Sequence, residues 1–152
     1  MESAAAQTTD GARQAALGVL ANAAATDLET IWHTWENQPE VQMIRSPETG
    51  LIMLRGRTGG GGAPFNLGEA TVSRASVRID SGEIGHGYCL GRDLDKARLI
   101  AVLDALYQRE PDNIDFAILR PLRDISHAAD EKQRAETAAT KVEFFTVARG
   151  ED

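Results

Sequence analysis

The chain has 152 residues, of which 42% are hydrophobic and 26% are charged, a composition that is ordinary for a single globular domain. Its formal net charge of −7 argues against a general nucleic-acid binder, because such proteins need an excess of basic residues to displace counterions. The N-terminus lacks a basic segment followed by an apolar one, and no apolar run could span a bilayer. We therefore expect one domain over residues 1–152, with no membrane association.

The N-terminal region predicts two helices. Residues 1–8 are expected to be disordered, and the first helix is expected over residues 10–24. A capping box, with Thr26 at the cap and Glu29 three residues later, predicts the start of the second helix. The apolar face of that helix follows at helical spacing, and Pro39 ends it; its members are Leu28, Ile31, Trp32 and Trp35.

The middle of the chain changes to a strand-like period. A turn is expected at Ser46–Gly50, where proline and glycine suit turn geometry, and a second turn at Asp80–Gly82. The flanking segments read as four strands, at residues 41–45, 51–57, 69–79 and 83–90. Such consecutive strands predict an antiparallel meander.

Two more helices and a strand-like tail complete the pattern. Asp93 suits the N-cap of a helix over residues 94–108, whose wide apolar arc predicts the main core helix. Pro121 is expected to open a helix over residues 121–140. No strand–helix–strand alternation is present, so a parallel sheet is disfavoured. We predict an α+β fold, with a four-stranded antiparallel sheet packed by N-terminal, central and C-terminal helices.

A run of four glycines, Gly59, Gly60, Gly61 and Gly62, follows the second predicted strand. It does not fit a P-loop, because no lysine and hydroxyl pair follows the glycines, and it does not fit the G-x-G-x-x-G dinucleotide pattern. One interpretation is a loop whose amides, together with Arg55 and Arg57, meet a phosphate or a partner protein. The other is a flexible connection between strands.

The region around Gly85 and Gly87 offers little support for catalysis. Glycines within a strand mark a bulge or a close approach of another backbone more often than an anion site. Cys89 and His86 are three residues apart, so they should face opposite sides of a regular strand and cannot form a thiolate pair. One cysteine and three histidines in the whole chain show none of the usual zinc spacings. We predict no catalytic residue, no metal site and no cofactor bound by this chain.

The arginines are stronger candidates for a binding role. Arg55 and Arg57 should share one face of their strand, and Arg74 and Arg78 one face of theirs. Guanidinium forks suit phosphate oxygens or the carboxylates of a partner, and Arg92 is a further candidate. The alternative is a solvated outer face of the sheet.

The C-terminal segment, residues 141–152, is a candidate partner-binding tail. It has large apolar residues on both faces of a strand-like stretch, and these need cover from the domain or from another chain. The candidate contact residues are Val142, Phe144, Phe145 and Val147.

Taken together in order and spacing, several segments resemble the PhnG family of the bacterial carbon–phosphorus lyase core complex. The resemblance runs from about Arg13 to Asp152, nearly the whole chain. It is carried by Glu48–Leu51, Gly60–Phe65, Gly68–Ala75, Leu90–Asp93, Asp104–Leu106, Val142–Thr146 and Arg149–Gly150.

The resemblance implies a cytoplasmic role in phosphonate breakdown, in a complex with PhnI, PhnH and PhnJ homologues and in functional association with PhnL. With ATP and methylphosphonate as substrates, that system makes α-D-ribose 1-methylphosphonate 5-triphosphate. The resemblance supplies no catalytic residue for this chain. It implies a subunit that supports the chemistry; the alternatives are a component that touches the triphosphate or phosphonate through Arg55, Arg57 and the glycine run, and a stand-alone anion-binding domain.

Overall fold

The computed structural model describes residues 2–139, with side chains described from residue 10 onward apart from residue 60. The helices are α1 (Glu2–Asn22), α2 (Ala25–His33), α3 (Leu94–Arg109), α4 (Pro111–Ile114) and α5 (Arg120–Ala139). The strands are β1 (Val41–Arg57), β2 (Pro64–Ile79) and β3 (Ile84–Leu90). The α+β class is confirmed. None of the helices in this part of the chain is both long and apolar enough to cross a membrane.

The sheet of residues 2–139 has three antiparallel strands in the order β1-β2-β3, so the predicted four-strand meander is wrong for this part of the chain. The two strands predicted on either side of Ser46–Gly50 are one continuous strand, β1. The pairing with β2 shifts by a residue between Arg45 and Glu48, and this bulge takes up Pro47. Proline is tolerated there because β1 lies at the edge of the sheet, where a missing N–H breaks no ladder.

The other strands follow the predicted pattern more closely. β2 begins at Pro64, five residues before the predicted start, and the hairpin from β2 to β3 turns at Asp80–Gly82 as expected. Residues of β2 alternate between faces, so Ser73, Ala75, Val77 and Ile79 are buried while Arg74 and Arg78 are exposed. This alternation turns one face of the sheet towards the helices and leaves the other open.

The core lies between the sheet and α3, which spans Leu94–Arg109, one residue longer than predicted. The side chain of Asp93 accepts a hydrogen bond from the Lys96 amide at 2.9 Å, which confirms the predicted N-cap. Gly85 and Gly87 of β3 lie directly against the backbone of α3, where any side chain would overlap the carbonyl oxygens of Ala101 and Ala97. The prediction of a close backbone approach at these glycines is confirmed.

The N-terminal helices differ from the sequence prediction in their ends. α1 begins at Glu2, whereas the helix was expected from residue 10 with residues 1–8 disordered. The alanine-rich stretch before residue 10 has good helix propensity, which accounts for the difference. The capping box at Thr26 is wrong, because Ala24 is the N-cap of α2 and the Thr26 hydroxyl makes no cap bond. Leu28 of α2 is fully buried, as its place in the apolar stripe predicts.

The C-terminal helix α5 spans Arg120–Ala139, close to the predicted 121–140, but Pro121 does not open it. The chain is helical from Pro111, and a π-helical turn at Asp115–Leu119 joins α4 to α5. A proline inside a helix has no N–H for the carbonyl of residue i−4 and clashes with it, and the wider π turn immediately before Pro121 accommodates this conflict. Pro111 takes the first position of the helix, the role that the sequence suggested for Pro121.

One part of the sheet extends beyond the core. β3 pairs with β2 only as far as Val72, so within residues 2–139 the remainder of β1 and β2 is a two-stranded hairpin. We call residues 51–70, with the connecting turn at Thr58–Gly60, the arm. Its strands project about 23 Å, since each strand residue adds about 3.3 Å. The predicted tail, residues 141–152, lies outside the described residues.

Candidate functional site

The open face of the sheet carries a row of polar and aromatic side chains. Cross-strand pairing sets Ser76 beside His86 and Arg74 beside Tyr88. A shallow groove of about 550 Å³ crosses this face; its lining includes Ile44, Arg45, Arg74, Ser76, His86 and Tyr88. The groove therefore offers hydroxyl, imidazole and guanidinium groups together with exposed aromatic and aliphatic carbon, a mixture that is typical of a binding surface.

The Ser76–His86 pair is the only place on the open face, within the described residues, where a hydroxyl meets an imidazole. Ser76 Oγ lies 2.9 Å from His86 Nδ1. Nucleophilic catalysis also needs a group that orients the base, and no carboxylate in the described part of the chain hydrogen-bonds the His86 ring. The pair is therefore better suited to contacting a ligand or partner than to activating a nucleophile.

The charge of the open face is positive. Glu48 Oε1 accepts from Arg74 Nε at 2.8 Å and from Arg45 Nη1 at 3.3 Å, so one carboxylate serves two guanidinium groups. Arg78 lies on the same face and, among the described residues, has no ion-pair or hydrogen-bond partner. All of these groups are solvent-exposed, so the ion pairs add little stability, and the guanidinium groups can exchange partners with an approaching anion or carboxylate.

Arg55 and Arg57 do not join this surface. The register of β1 places them, with Leu51 and Met53, on the face opposite to Arg74 and Arg78. Asn66 is the partner of Arg55, and the strand from Asn66 to Arg74 covers about 26 Å at about 3.3 Å per residue. The two arginine pairs predicted from the sequence therefore lie on separate faces.

The glycine run forms the tip of the arm. Gly59 has a φ of 60°, and the amides of Gly61 and Gly62 both donate to the carbonyl oxygen of Thr58. Arg57 Nη1 donates to the Gly62 carbonyl at 3.4 Å. Two of the glycine amides are thus used within the turn, which leaves fewer for a bound anion than a phosphate cradle presents. The run is a tight turn with internal hydrogen bonds, and whether it contacts a ligand stays a prediction.

Arg92 lies apart from the other arginines. It follows Gly91, whose φ is 91°, in the connection from β3 to α3, and its side chain is exposed. The Gly91 backbone is held by two hydrogen bonds, from its amide to the Thr71 carbonyl at 2.9 Å and from Ser73 Oγ to its own carbonyl at 2.9 Å. The predicted arginine sites are therefore spread over three parts of the molecule.

Cys89 and His86 face opposite sides of β3, as their spacing predicted. Cys89 is buried, its Sγ lies 3.7 Å from the Asp93 carbonyl, and burial raises the pKa of its thiol. A thiol in such surroundings is a poor nucleophile. The described residues contain no group of three or more histidine, cysteine or acidic side chains that could hold a metal ion.

Several surface residues in this region were not singled out by the sequence. Arg45, Ser76 and Tyr88 reach the groove, and Glu48 lies beside Arg74, only because the pairing of β1, β2 and β3 aligns them. Alternation along β2 places Ser76 on the same face as Arg74 and Arg78, and this pattern could have identified Ser76 from the sequence. The bulge at Pro47 concealed the contribution of β1, because a turn was expected there.

The fold is that of a small α+β protein whose described residues include an exposed polar and aromatic sheet face and no complete catalytic arrangement. A family model described as "Phosphonate metabolism protein PhnG" matches residues 11–150. A relative from Rhizobium meliloti (strain 1021), named "Alpha-D-ribose 1-methylphosphonate 5-triphosphate synthase subunit PhnG", is 48% identical over 153 residues, which cover 97% of this chain and 98% of the relative. The chain belongs to the PhnG family of phosphonate metabolism proteins, as the sequence resemblance indicated.

Proposed function

We propose that this chain is a subunit of an α-D-ribose 1-methylphosphonate 5-triphosphate synthase and supports the reaction without performing it. The observation that carries the proposal is the relative of that name, which is 48% identical and aligns over nearly the full length of both chains. A supporting role agrees with the chemistry of the described residues. No acid in the described part of the chain orients the Ser76 hydroxyl and the His86 imidazole, and Cys89 is buried.

The proposed companions are homologues of PhnI, PhnH and PhnJ in a cytoplasmic core complex, with PhnL acting alongside them. ATP and a phosphonate are substrates of that assembly, and this chain binds neither of them as a cofactor of its own. A subunit with this role needs surfaces for its neighbours, and the open sheet face and the arm are exposed in the described structure.

The open sheet face supports docking to a companion subunit. Arg74 and Arg45 provide guanidinium groups to a groove, and Arg78 lies on the same face of β2. Ile44 and Tyr88 expose apolar carbon, with 49% and 44% of their surface accessible. Arginine and tyrosine are enriched among the residues that contribute most to protein interfaces. We propose that this face, together with the tail residues Val142, Phe144, Phe145 and Val147, binds a PhnI homologue.

Co-purification tests this proposal. The chain is mixed with the PhnI, PhnH and PhnJ homologues of the same organism and applied to a size-exclusion column. We expect a shared peak, and we expect deletion of residues 141–152 or the substitution Arg78→Glu to weaken it. The exposed Arg134→Glu on α5 serves as the matched charge control. A full-length chain that elutes alone in every combination would contradict membership of the complex.

Direct contact with the triphosphate is a second candidate function. Arg55 supports it, because this arginine has no partner among the described residues. The variant Arg55→Ala with Arg57→Ala separates the two roles, provided that synthase activity is expressed per assembled complex. A supporting subunit predicts little change per complex, whereas direct contact predicts a loss of a hundredfold or so, about the size seen when a charge-stabilising donor is removed. The stand-alone anion binder predicts heat when the isolated chain is titrated with ATP, and we expect none.

A further inference from the structure

The arm, residues 51–70, exposes apolar side chains that the described part of the chain does not cover. The exposed fractions are 64% for Leu51, 51% for Met53, 40% for Leu54, 45% for Phe65 and 65% for Leu67. A two-stranded hairpin is at best marginally stable without a further layer. Contiguous exposed apolar side chains on a projecting element mark an interaction site. The arm therefore needs a cover that this part of the molecule does not provide.

The apolar residues lie on both faces of the arm. The register of β1 and β2 puts Leu51 and Met53 on one face and Leu54 on the other. Phe65 is the partner of Gly56, which lies on the face of Leu54, and its ring stands 3.4 Å from the position that a Gly56 Cβ would take. A flat partner surface can cover only one face of a hairpin. A cleft with two walls covers both.

The tip of the arm is narrow and preformed. Gly59–Gly62 carry no side chains, and the turn is closed by bonds from the Gly61 and Gly62 amides to the Thr58 carbonyl. A side chain at Gly62 would overlap the Thr58 carbonyl oxygen, so this compact turn requires glycine there. A leading end that is only as wide as its backbone can enter a cleft that would exclude ordinary side chains. Entry into a narrow cleft thus explains why the tip consists of glycines, which neither a P-loop nor a linker explains.

The charge of the arm indicates the lining of that cleft. The arm contains Arg55, Arg57 and a single acidic residue, Glu69, in a chain whose net charge is −7. Arg55 has no partner among the described residues, and Arg57 makes one long bond to a backbone carbonyl. Since burying an unpaired guanidinium is costly, a cleft that takes the arm must supply carboxylates.

We propose that the arm inserts, tip first, into a cleft of a companion subunit. The cleft has two apolar walls, and carboxylates near its floor pair with Arg55 and Arg57. This inference rests on the proposed function, because it requires membership of a complex. It deepens that proposal by assigning a docking element distinct from the open sheet face and the tail. The inserted arm would act as a peg that fixes the orientation of this subunit.

Neighbouring residues on opposite faces of the arm test the two-walled cleft. Met53→Asp and Leu54→Asp each place a charge on one face, and Ile125→Asp on α5, 43% exposed in the native protein, is the matched control. Binding to the companion subunits is measured by isothermal titration, with circular dichroism to verify the fold. Each arm variant should weaken binding about tenfold or more, whereas the control should stay within about twofold.

The same titration tests the carboxylates. Arg55→Glu should weaken binding about tenfold at low salt and less at high salt, because the added repulsion is screened. Arg98→Glu, at an exposed position of α3, is the charge control and should bind like the native chain. Equal binding of Arg55→Glu and the native chain would overturn the assignment of carboxylates to the cleft.

The outcomes separate this inference from the proposed function. If the native chain joins the complex and both apolar arm variants bind as tightly, the arm inference is overturned while membership stands. If only one of the two apolar arm variants weakens binding, the partner is a flat surface and the two-walled cleft is overturned. If the native chain forms a dimer that the arm variants dissociate, the occupant is a second copy. If the native chain binds no companion, the proposed function fails and the arm inference fails with it.

Discussion

Arg13 and Asp104 form a bidentate ion pair that joins α1 to α3 beneath the sheet. Arg13 Nε lies 2.8 Å from Asp104 Oδ1, and Arg13 Nη2 lies 2.7 Å from Oδ2. Asp104 is 1% exposed, and its Oδ2 also accepts the His86 amide of β3 at 2.8 Å. The same pair holds the pKa of Arg13 above its ordinary value, chiefly through the hydrogen bond to Asp104. One buried carboxylate thus ties together two helices and a strand.

Removing Arg13 should destabilise the fold. Arg13→Met leaves Asp104 buried without its cation, and a broken buried ion pair costs about 3–5 kcal/mol. We expect the lower end of that range, because the Arg13 side chain is 30% exposed. Urea unfolding followed by circular dichroism measures the loss. Arg98→Met on the exposed side of α3 should change stability by less than about 0.5 kcal/mol. A similarly small effect for Arg13→Met would contradict the structural role of the pair.

A methyl group at Gly87 should force β3 away from α3. The added Cβ would overlap the Ala97 carbonyl oxygen, which belongs to the helix backbone and cannot rotate aside. Overpacking of this kind costs about 1–3 kcal/mol, and the upper end is expected for a backbone clash. Gly68→Ala is the matched control, since Gly68 is also in a strand and has open space where its Cβ would stand. Equal melting temperatures for the two variants would argue against the close contact.

The thiol of Cys89 should be inert in the folded protein. Burial raises its pKa and also blocks access to reagents. A disulfide reagent such as Ellman's compound should release almost no colour from the native chain at pH 8 and react at once when urea is added. Rapid reaction of the native protein would show an accessible thiolate and would reopen a catalytic role for this residue.

The carboxylate of Glu110 should make stability depend on acidic pH. Bonds from Asn113 Nδ2 at 2.8 Å and Arg109 Nη2 at 2.6 Å hold its pKa below the ordinary value of 4.5. A lowered folded pKa gives stability that is fully present above 4.5 and is lost as pH falls through the folded value. The stability difference between the native chain and Glu110→Gln should therefore be constant near neutrality and shrink below pH 4.5.

Asn113→Ala removes the largest cause of that shift. Its stability should fall less steeply in acid than that of the native chain, because the folded and unfolded pKa values of Glu110 then lie closer together. Chemical denaturation at a series of pH values makes both comparisons. Identical pH profiles for the native chain and Asn113→Ala would show that this hydrogen bond does not govern the carboxylate.

Local sequence signals predicted an element correctly where its local preference agreed with its tertiary packing. α3 was placed almost to the residue, because Asp93 caps it and its apolar arc is wide. The hairpin of β2 and β3 followed from alternation and from the turn at Asp80–Gly82. The prediction was wrong at Ser46–Gly50, where turn-forming residues occupy an edge strand and long-range pairing with β2 overrides their local preference.

Contacts between residues that are far apart in the sequence could not be predicted from it. Asp104 lies between Leu103 and Ala105 in an apolar helix, and nothing local identified Arg13 as its partner. The arginine pairs were predicted correctly as pairs, yet their separation onto opposite faces depends on the register of β1 and its bulge. The glycine run likewise became a tight tip only once β1 and β2 were seen to be one long hairpin.

Membership of the synthase is tested most directly by size-exclusion chromatography with light scattering of this chain together with the proposed PhnI, PhnH and PhnJ companions. A supporting subunit of the synthase should co-elute in a complex of defined mass, and complexes that lack it should lose synthase activity that adding the purified chain restores. A chain that remains separate from all companions, or a complex with full activity in its absence, would contradict a supporting role in the synthase.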